Sequence, residues 1–311
     1  MEPIQGAFKK LIQNEDFKKR YESMREEVMS HPRIKQFVEE HKGEVTTSML
    51  ERSLIKLYEY IGQSVDCKEC PSLEECKNML QGYHPHLVIQ GRMIDIQYDR
   101  CPSKVAYDER KKKEALIKSL YVPREILQAT LSDLDLSDPQ RFGAILEAKQ
   151  FLDEYEPGKK VQGLYLYGSF GVGKTYILGA IANALAEREI SSMLVYLPEF
   201  LREIKGSIND NSLNDKLDAV KRVPVLMLDD IGAESMSSFV RDDILGTILQ
   251  FRMLENLPTF FSSNFDFKQL EHHLTYTQRG EEEKMKAARI MERIKYLAKP
   301  VELLGGNRRQ Y

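Results

Sequence analysis

Two short stretches hold the residues whose types and spacing could do chemistry on a phosphate: Gly168-Ser169-Phe170-Gly171-Val172-Gly173-Lys174-Thr175 and the acidic pair Asp229-Asp230. The first fits the phosphate-loop pattern G-x-x-x-x-G-K-[ST]. Gly168, Gly171 and Gly173 allow backbone angles that a side chain forbids and bring N–H groups against phosphate oxygens. Lys174 would place a point charge at the β- and γ-phosphates of ATP, and Thr175 a hydroxyl on a magnesium ion. Asp229 would hold that magnesium, directly or through water, and Asp230 would orient and deprotonate the attacking water. Glutamate is more usual at the second acidic place, so the shorter Asp230 implies slow turnover. Asn264 is a third candidate, able to hydrogen-bond the water or the γ-phosphate.

These groups need elements to carry them. Gly163–Tyr167 is short, apolar and aromatic and reads as a buried strand; from Thr175 to Ile190 apolar residues recur at helical spacing. Strand, glycine-rich turn, helix is the context that makes a phosphate site of the pattern. Further strands are expected at 192–197, 223–228, 258–263 and 300–304, with helices at 199–208, 212–221, 239–256 and 284–298. Such alternation requires a parallel sheet, an α/β fold, with lysine and acids on the tips of neighbouring strands. Only a few residues follow the last strand, so no C-terminal helical lid is expected.

The chain has 311 residues, which favours two domains, and 42% hydrophobic content with 15 Tyr and 13 Phe supports a core. No apolar run approaches about 18 residues, and the first residues lack a signal peptide's apolar middle, so a cytoplasmic protein with no membrane contact is expected. Residues 1–120 hold 21 basic against 20 acidic side chains, so bulk charge selects no partner.

All four cysteines fall at 67, 70, 76 and 101. In a cytoplasmic protein such clustering with C-x-x-C spacing points to zinc rather than disulfides. Cys67, Cys70 and Cys101 are three ligands of a tetrahedral site. The fourth is a choice between Cys76 and His84. A helix over 71–80 would place Cys76 on its apolar face with Leu73 and Leu80, while His84, in a turn before Pro85, could point inward; this favours His84. The site would hold together a mainly helical binding module over residues 1–106. One stripe of it (Met49, Leu50, Leu54, Leu57, Tyr58, Ile61) reads as core, with Gly62 closing the helix.

Residues 107–120 are charge-rich and read as a solvated linker or an exposed helix ahead of an ATPase domain over 121–311. Arg289 and Arg293, four apart on the helix 285–298 and opposite Ile290, Ile294 and Leu297, present two guanidinium groups. Arg293 is the candidate to reach a neighbouring subunit's γ-phosphate, which requires oligomerisation. Arg308, beside Arg309 in the tail, could sense nucleotide in its own subunit.

Taken together, the loop at 168–175, the acids closing 225–230, Asn264 and the late arginines resemble AAA+ ATPases. The blocks LYLYGSFGVGKTYILGAIANALA, VLMLDDIGAES and FFSSNF behind a cysteine cluster are more closely similar to bacterial replicative helicase loaders of the DnaI/DnaC family, nearest the DnaI type of low-GC Gram-positive bacteria. The resemblance covers the whole chain. It implies that residues 1–106 grip the hexameric replicative helicase. The ATPase then binds ATP and single-stranded DNA and places the helicase on the template. Lys174, Thr175, Asp229, Asp230, Asn264 and Arg293 take the nucleotide roles argued above. DNA contact would fall on the helices between the second and third strands, where Arg202, Lys205, Lys216, Lys221 and Arg222 sit. A transposase-regulating ATPase shares the C-terminal blocks but usually lacks a zinc module. A zinc adaptor with a vestigial ATPase is at odds with intact Lys174, Asp229 and Asp230.

Overall fold

The computed structural model describes residues 15–66, 70, 72–123, 125–134, 139–206, 212–277, 280 and 282–308. Cys67 and Arg309 lie outside them. Chain contacts divide the protein into two units, Met1–Arg110 and Lys111–Tyr311.

In the first unit, helices α1 (Glu15–Ser30), α2 (Pro32–Glu40), α3 (Thr47–Arg52) and α4 (Leu54–Ile61) precede an antiparallel hairpin of β1 (Tyr83–Gln90) and β2 (Met93–Arg100). Pro32 opens α2, where its missing N–H costs nothing, and Thr46 caps α3 by accepting the Met49 N–H. The single helix expected around residues 49–61 is broken at Ser53. The Ser53 hydroxyl accepts the Ile94 N–H of β2 at 2.7 Å, so a tertiary contact interrupts the periodic stripe. The break turns Tyr60, not Tyr58, into the core with Val28, Ile34, Leu54, Leu57 and Ile94.

Two expectations about the cysteine region are corrected. Residues 72–82 are a succession of turns with no helix, and Leu80 is exposed. His84 lies on β1 opposite Asp99, not in a turn. Residues 107–120, expected as a linker or exposed helix, are the second half of helix α5 (Pro102–Leu116), which buries no residue, and an unexpected strand, β3 (Ile117–Leu120). The lysines hid that strand from the sequence pattern. It is an edge strand, and only Ile117, Ser119 and Leu120 are shielded.

The second unit is built on a six-stranded parallel sheet in the order β3-β5-β6-β7-β4-β8, with β4 (Gly163–Tyr167), β5 (Ser192–Tyr196), β6 (Val225–Asp229), β7 (Thr259–Ser263) and β8 (Ala298–Glu302). Helices α6 (Pro139–Glu154) and α7 (Lys174–Glu187) cover one face. The other carries α8 (Leu197–Gly206), α10 (Gly246–Leu254), α11 (Phe267–Thr275) and α12 (Lys284–Leu297), and α9 (Ser212–Arg222) precedes β6. Alternate strand residues feed the two layers: Val225 and Met227 pack under α6 and α7, Leu226 and Leu228 under the opposite helices. A strand buried on both sides therefore reads as an unbroken apolar run.

The long helix expected over 239–256 is continuous from 238 to 254, but its Val240–Leu245 stretch is wound as a π-helical turn that leads into α10. Buried Arg241 sits in that turn. It donates to the Leu274 carbonyl at 3.0 Å and pairs with Asp242 and Glu283 at 2.8 and 2.5 Å. Arg252, fully buried on α10, has a different task. It donates to the carbonyls of Lys221 (2.9 Å), Val223 (2.8 Å) and Pro258 (2.7 Å) and to the Thr259 hydroxyl (2.7 Å). One side chain thus satisfies the orphan carbonyls at the end of α9 and ties them to the starts of β6 and β7. Burial pulls its pKa down to about 9.

Candidate nucleotide site

The site forms at the carboxyl edge of the sheet. The loop 168–175 follows β4, Asp229 ends β6, and Asn264 follows β7, which lies between the other two. The sequence places lysine and acids on neighbouring strands, but Asn264's strand, β7, separates them and lets that side chain reach both. A cavity of about 550 Å³ opens there, lined by loop residues, Asp229, Asp230, Ser262, Asn264 and Arg308.

Lys174 is buried at 7% exposure, and its ammonium donates to the Gly168 and Ser169 carbonyls and to Asn264 Oδ1, each at 2.8 Å. Asn264 Nδ2 in turn donates to Asp230 Oδ1 at 3.2 Å. Thr175 Oγ1 donates to both carboxylate oxygens of Asp229, at 2.9 and 3.1 Å. The loop lysine, the loop threonine, the acidic pair and Asn264 are thus brought together as the sequence predicts.

Ser262 was missed by sequence reasoning. It is 1% exposed, donates to Asp229 Oδ1 at 2.5 Å and accepts the Asp230 N–H at 2.9 Å. Asp230 has φ +63°, a left-handed angle that non-glycine residues rarely adopt, and such angles concentrate at working sites. Ser262 and Ser263, whose hydroxyl donates to the Ile231 carbonyl at 2.7 Å, clasp the strained turn from β7. The signal in the sequence was two polar residues closing an otherwise apolar strand. Burial raises the Asp229 carboxyl pKa above the ordinary aspartate value; the Ser262 and Thr175 hydroxyls oppose the rise, Asp230 adds to it, and Lys174 opposes it.

The loop glycines answer to the chain's last segment. Gly171 and Gly173 hold φ +77° and +96°, and Gly173 caps α7 in the left-handed conformation. A Cβ on Gly168 would collide with the Leu303 carbonyl, and one on Gly171 with the Asn307 side chain. Leu303 N–H donates to the Tyr167 carbonyl at 2.7 Å and Arg308 N–H to the Gly171 carbonyl at 2.9 Å. Arg308, expected from the tail, therefore does line the cavity.

Arg293 differs from expectation. Its Nη1 donates to the Gly246 carbonyl at 2.7 Å, at the junction of the π-turn and α10, and burial followed by the neighbouring Arg289 charge lowers its pKa. Arg289 alone of the pair is exposed. The face that was to present two guanidinium groups presents one. Four of the five basic residues expected to meet DNA are engaged within the protein: Arg202 with Glu199 and Glu234, Lys216 with Glu203, Lys221 with Asp218, and Arg222 over the Phe251 ring.

In the first unit, the Cys76 sulfur accepts the Gly82 N–H and the Cys101 sulfur the Lys104 N–H, both at 3.4 Å, while the Gly82 carbonyl accepts the Cys101 N–H at 2.8 Å. Amide donors on sulfur suit thiolate ligands of a metal, so these two residues fit zinc chemistry. Cys70 is described and its thiol donates to the Ser72 carbonyl at 3.1 Å. Among the described residues no group of three or more His, Cys, Asp or Glu is gathered closely enough to hold a metal. With no helix over 72–82, the reason for setting Cys76 aside in favour of His84 falls away. Among the described residues no helix is long and apolar enough to cross a membrane.

Comparison with known proteins extends these observations. The N-terminal family of primosomal protein DnaI matches residues 1–98, and the bacterial DnaA ATPase domain family matches residues 144–272. The replicative helicase loader DnaI of Bacillus subtilis is 53% identical over 309 residues, covering 99% of each chain. A crystal structure of DnaI is similar at TM-score 0.57 and 62% identity, covering 63% of this chain and 99% of its own. The parallel sheet with its phosphate loop, acidic strand end and polar Asn264 is an AAA+ ATPase core.

Proposed function

The chain belongs to the DnaI family of replicative helicase loaders, and from that premise we propose that it binds the hexameric replicative helicase and, under control of ATP, places it on single-stranded DNA in replication initiation. The observation that carries this reading is full-length identity to a helicase loader, N-terminal unit included. A transposase-regulating ATPase would not require likeness over residues 1–98, and a vestigial ATPase would not require the intact Lys174–Asn264–Asp230 circuit.

ATP is the substrate whose terminal phosphates Lys174 and the loop amides would bind. Asp230 would take the proton of the attacking water, and Asn264 would fix the water's position between the two. Magnesium would be held by Thr175 and Asp229 and would supply charge neutralisation on the phosphates. Arg308 is the residue we assign to sensing nucleotide in its own subunit. Arg293 would act on a neighbour's nucleotide in a self-oligomer, which requires release of Gly246. Hydrolysis is slow and partner-stimulated in this reading.

Zinc would be held by Cys67, Cys70 and Cys101 with His84 or Cys76, and would supply a structural crosslink for a unit with a small core. Residues 1–106 form the helicase-binding part, and the protein acts in the cytoplasm. Single-stranded DNA would meet the α8–α9 region by displacing the carboxylates now paired with Arg202, Lys216 and Lys221.

The deciding experiment mixes the full-length protein with its host's replicative helicase, with and without ATP, and weighs the products by native mass spectrometry. A defined complex is expected, its composition changed by ATP and not changed for Lys174→Ala. No complex at micromolar concentrations would overturn the reading.

A further inference from the structure

Arg141 is the third residue of α6 and is 3% exposed, yet it lines the nucleotide cavity. Its Nη2 lies 3.0 Å from where a Cβ on Gly173 would stand, so the guanidinium lies against the last glycine of the phosphate loop. Its charge also reaches Tyr176, in the first turn of α7, and opposes the rise that burial causes in that phenol's pKa. Besides Arg308, the cavity thus has two cationic side chains at the end of the loop, and they face different neighbours. Lys174 points back toward Gly168, Ser169 and Asn264, among the acids. Arg141 faces Gly173 and Tyr176, and Ile126, Leu134 and Asp133, which bonds the Tyr176 hydroxyl, line the same cavity.

A nucleotide laid along this cavity has its terminal phosphate at the acidic end and its base among the apolar residues. The phosphate nearest the base then falls beside Arg141. A guanidinium buried at a cavity wall suits a phosphate oxygen better than an ammonium would, because its planar donors are fixed in direction and can be aimed at one oxygen. We propose that Arg141 is a nucleotide-binding residue that grips the α-phosphate of the bound nucleoside phosphate. Glycine at 173 then has two reasons: the left-handed angle at the helix start, and room for this side chain.

The assignment rests on the ATP-binding reading, and the test separates the two. Binding of ATP, AMP and the two ATPαS epimers is measured on the full-length protein in EDTA, for wild type, Arg141→Gln and Arg141→Lys. Sulfur on the α-phosphorus is a poor acceptor, so a guanidinium on one oxygen makes wild type prefer one epimer. Arg141→Gln is expected to weaken ATP and AMP alike, about tenfold or more, and to erase the epimer preference. Arg141→Lys is expected to recover part of the affinity and little of the preference. Absence of an epimer preference in wild type would overturn the assignment, a result that needs no variant to fold. So would Arg141→Gln binding ATP within twofold of wild type, or keeping the preference. Wild type that fails to bind ATP would overturn the ATP reading itself.

Discussion

Lys174 and Asp230 are joined through one side chain: the Asn264 amide accepts from the lysine through its oxygen and donates to the aspartate through its nitrogen. The lysine of the glycine-rich loop and the second acid after β6 are thereby held by a single amide. Asn264→Ala is expected to leave ATP affinity within a few-fold of wild type and to lower the helicase-stimulated hydrolysis rate about 100-fold. Equilibrium binding and steady-state hydrolysis on the same preparation check the split. Equal losses in both would mean that the amide only shapes the loop.

Ser262 positions Asp229 and the strained turn behind it. Ser262→Ala is expected to raise the magnesium concentration needed for half-maximal hydrolysis about tenfold, with ATP binding in EDTA unchanged. Ser262→Thr, which keeps the hydroxyl, restores most of the magnesium response.

Burial raises the Asp229 pKa, so protons compete with magnesium at higher pH than they would at an exposed aspartate. Magnesium half-saturation should therefore climb as pH falls, from a higher pH than an exposed aspartate ligand would give. Ser262→Ala removes a hydroxyl that opposes the rise and moves the onset to higher pH. Titration of magnesium against hydrolysis at several pH values reads both.

Glu283 has its pKa pulled down to about 2 from 4.5, by its Lys286 and Arg241 partners. The ionised form is favoured in the folded state. Its contribution to stability is complete above about 4.5 and is lost as pH falls through about 2. Thermal unfolding between pH 5 and 3 should show wild type losing stability more steeply than Glu283→Gln.

For the metal, wild type is expected to carry one equivalent of zinc and Cys101→Ala none, with melting of the first unit. His84→Ala and Cys76→Ala then separate the fourth ligand, because only the true ligand's variant loses the ion. Elemental analysis of the purified proteins supplies the count.

Much of this was legible before any coordinates. Buried parallel strands read as apolar runs, so β4, β5, β6 and β7 appear within two residues of their bounds. The phosphate loop, Asp229, Asp230 and Asn264 occupy fixed places relative to those runs. What stayed hidden was set by tertiary contacts. Lysines masked β3 because one edge of it faces solvent. Ser53 split a continuous periodic stripe through its bond to Ile94. Arg141, Arg241 and Arg252 look like surface charges in a sequence, and their burial follows from carbonyls and carboxylates far along the chain or from the cavity they line. Arg293 belongs with them, since its tie to Gly246 links residues 47 apart.

The final segment crosses the phosphate loop at Leu303, Asn307 and Arg308, yet Gly306 between them faces open space, and a side chain there would touch nothing within 4 Å. A cysteine placed at 306 could carry a fluorescent dye beside the ATP pocket without crowding it. The described native cysteines, 70, 76 and 101, all belong to the other unit. Labelled in that way, the protein would become its own optical gauge of nucleotide occupancy while it handles the helicase.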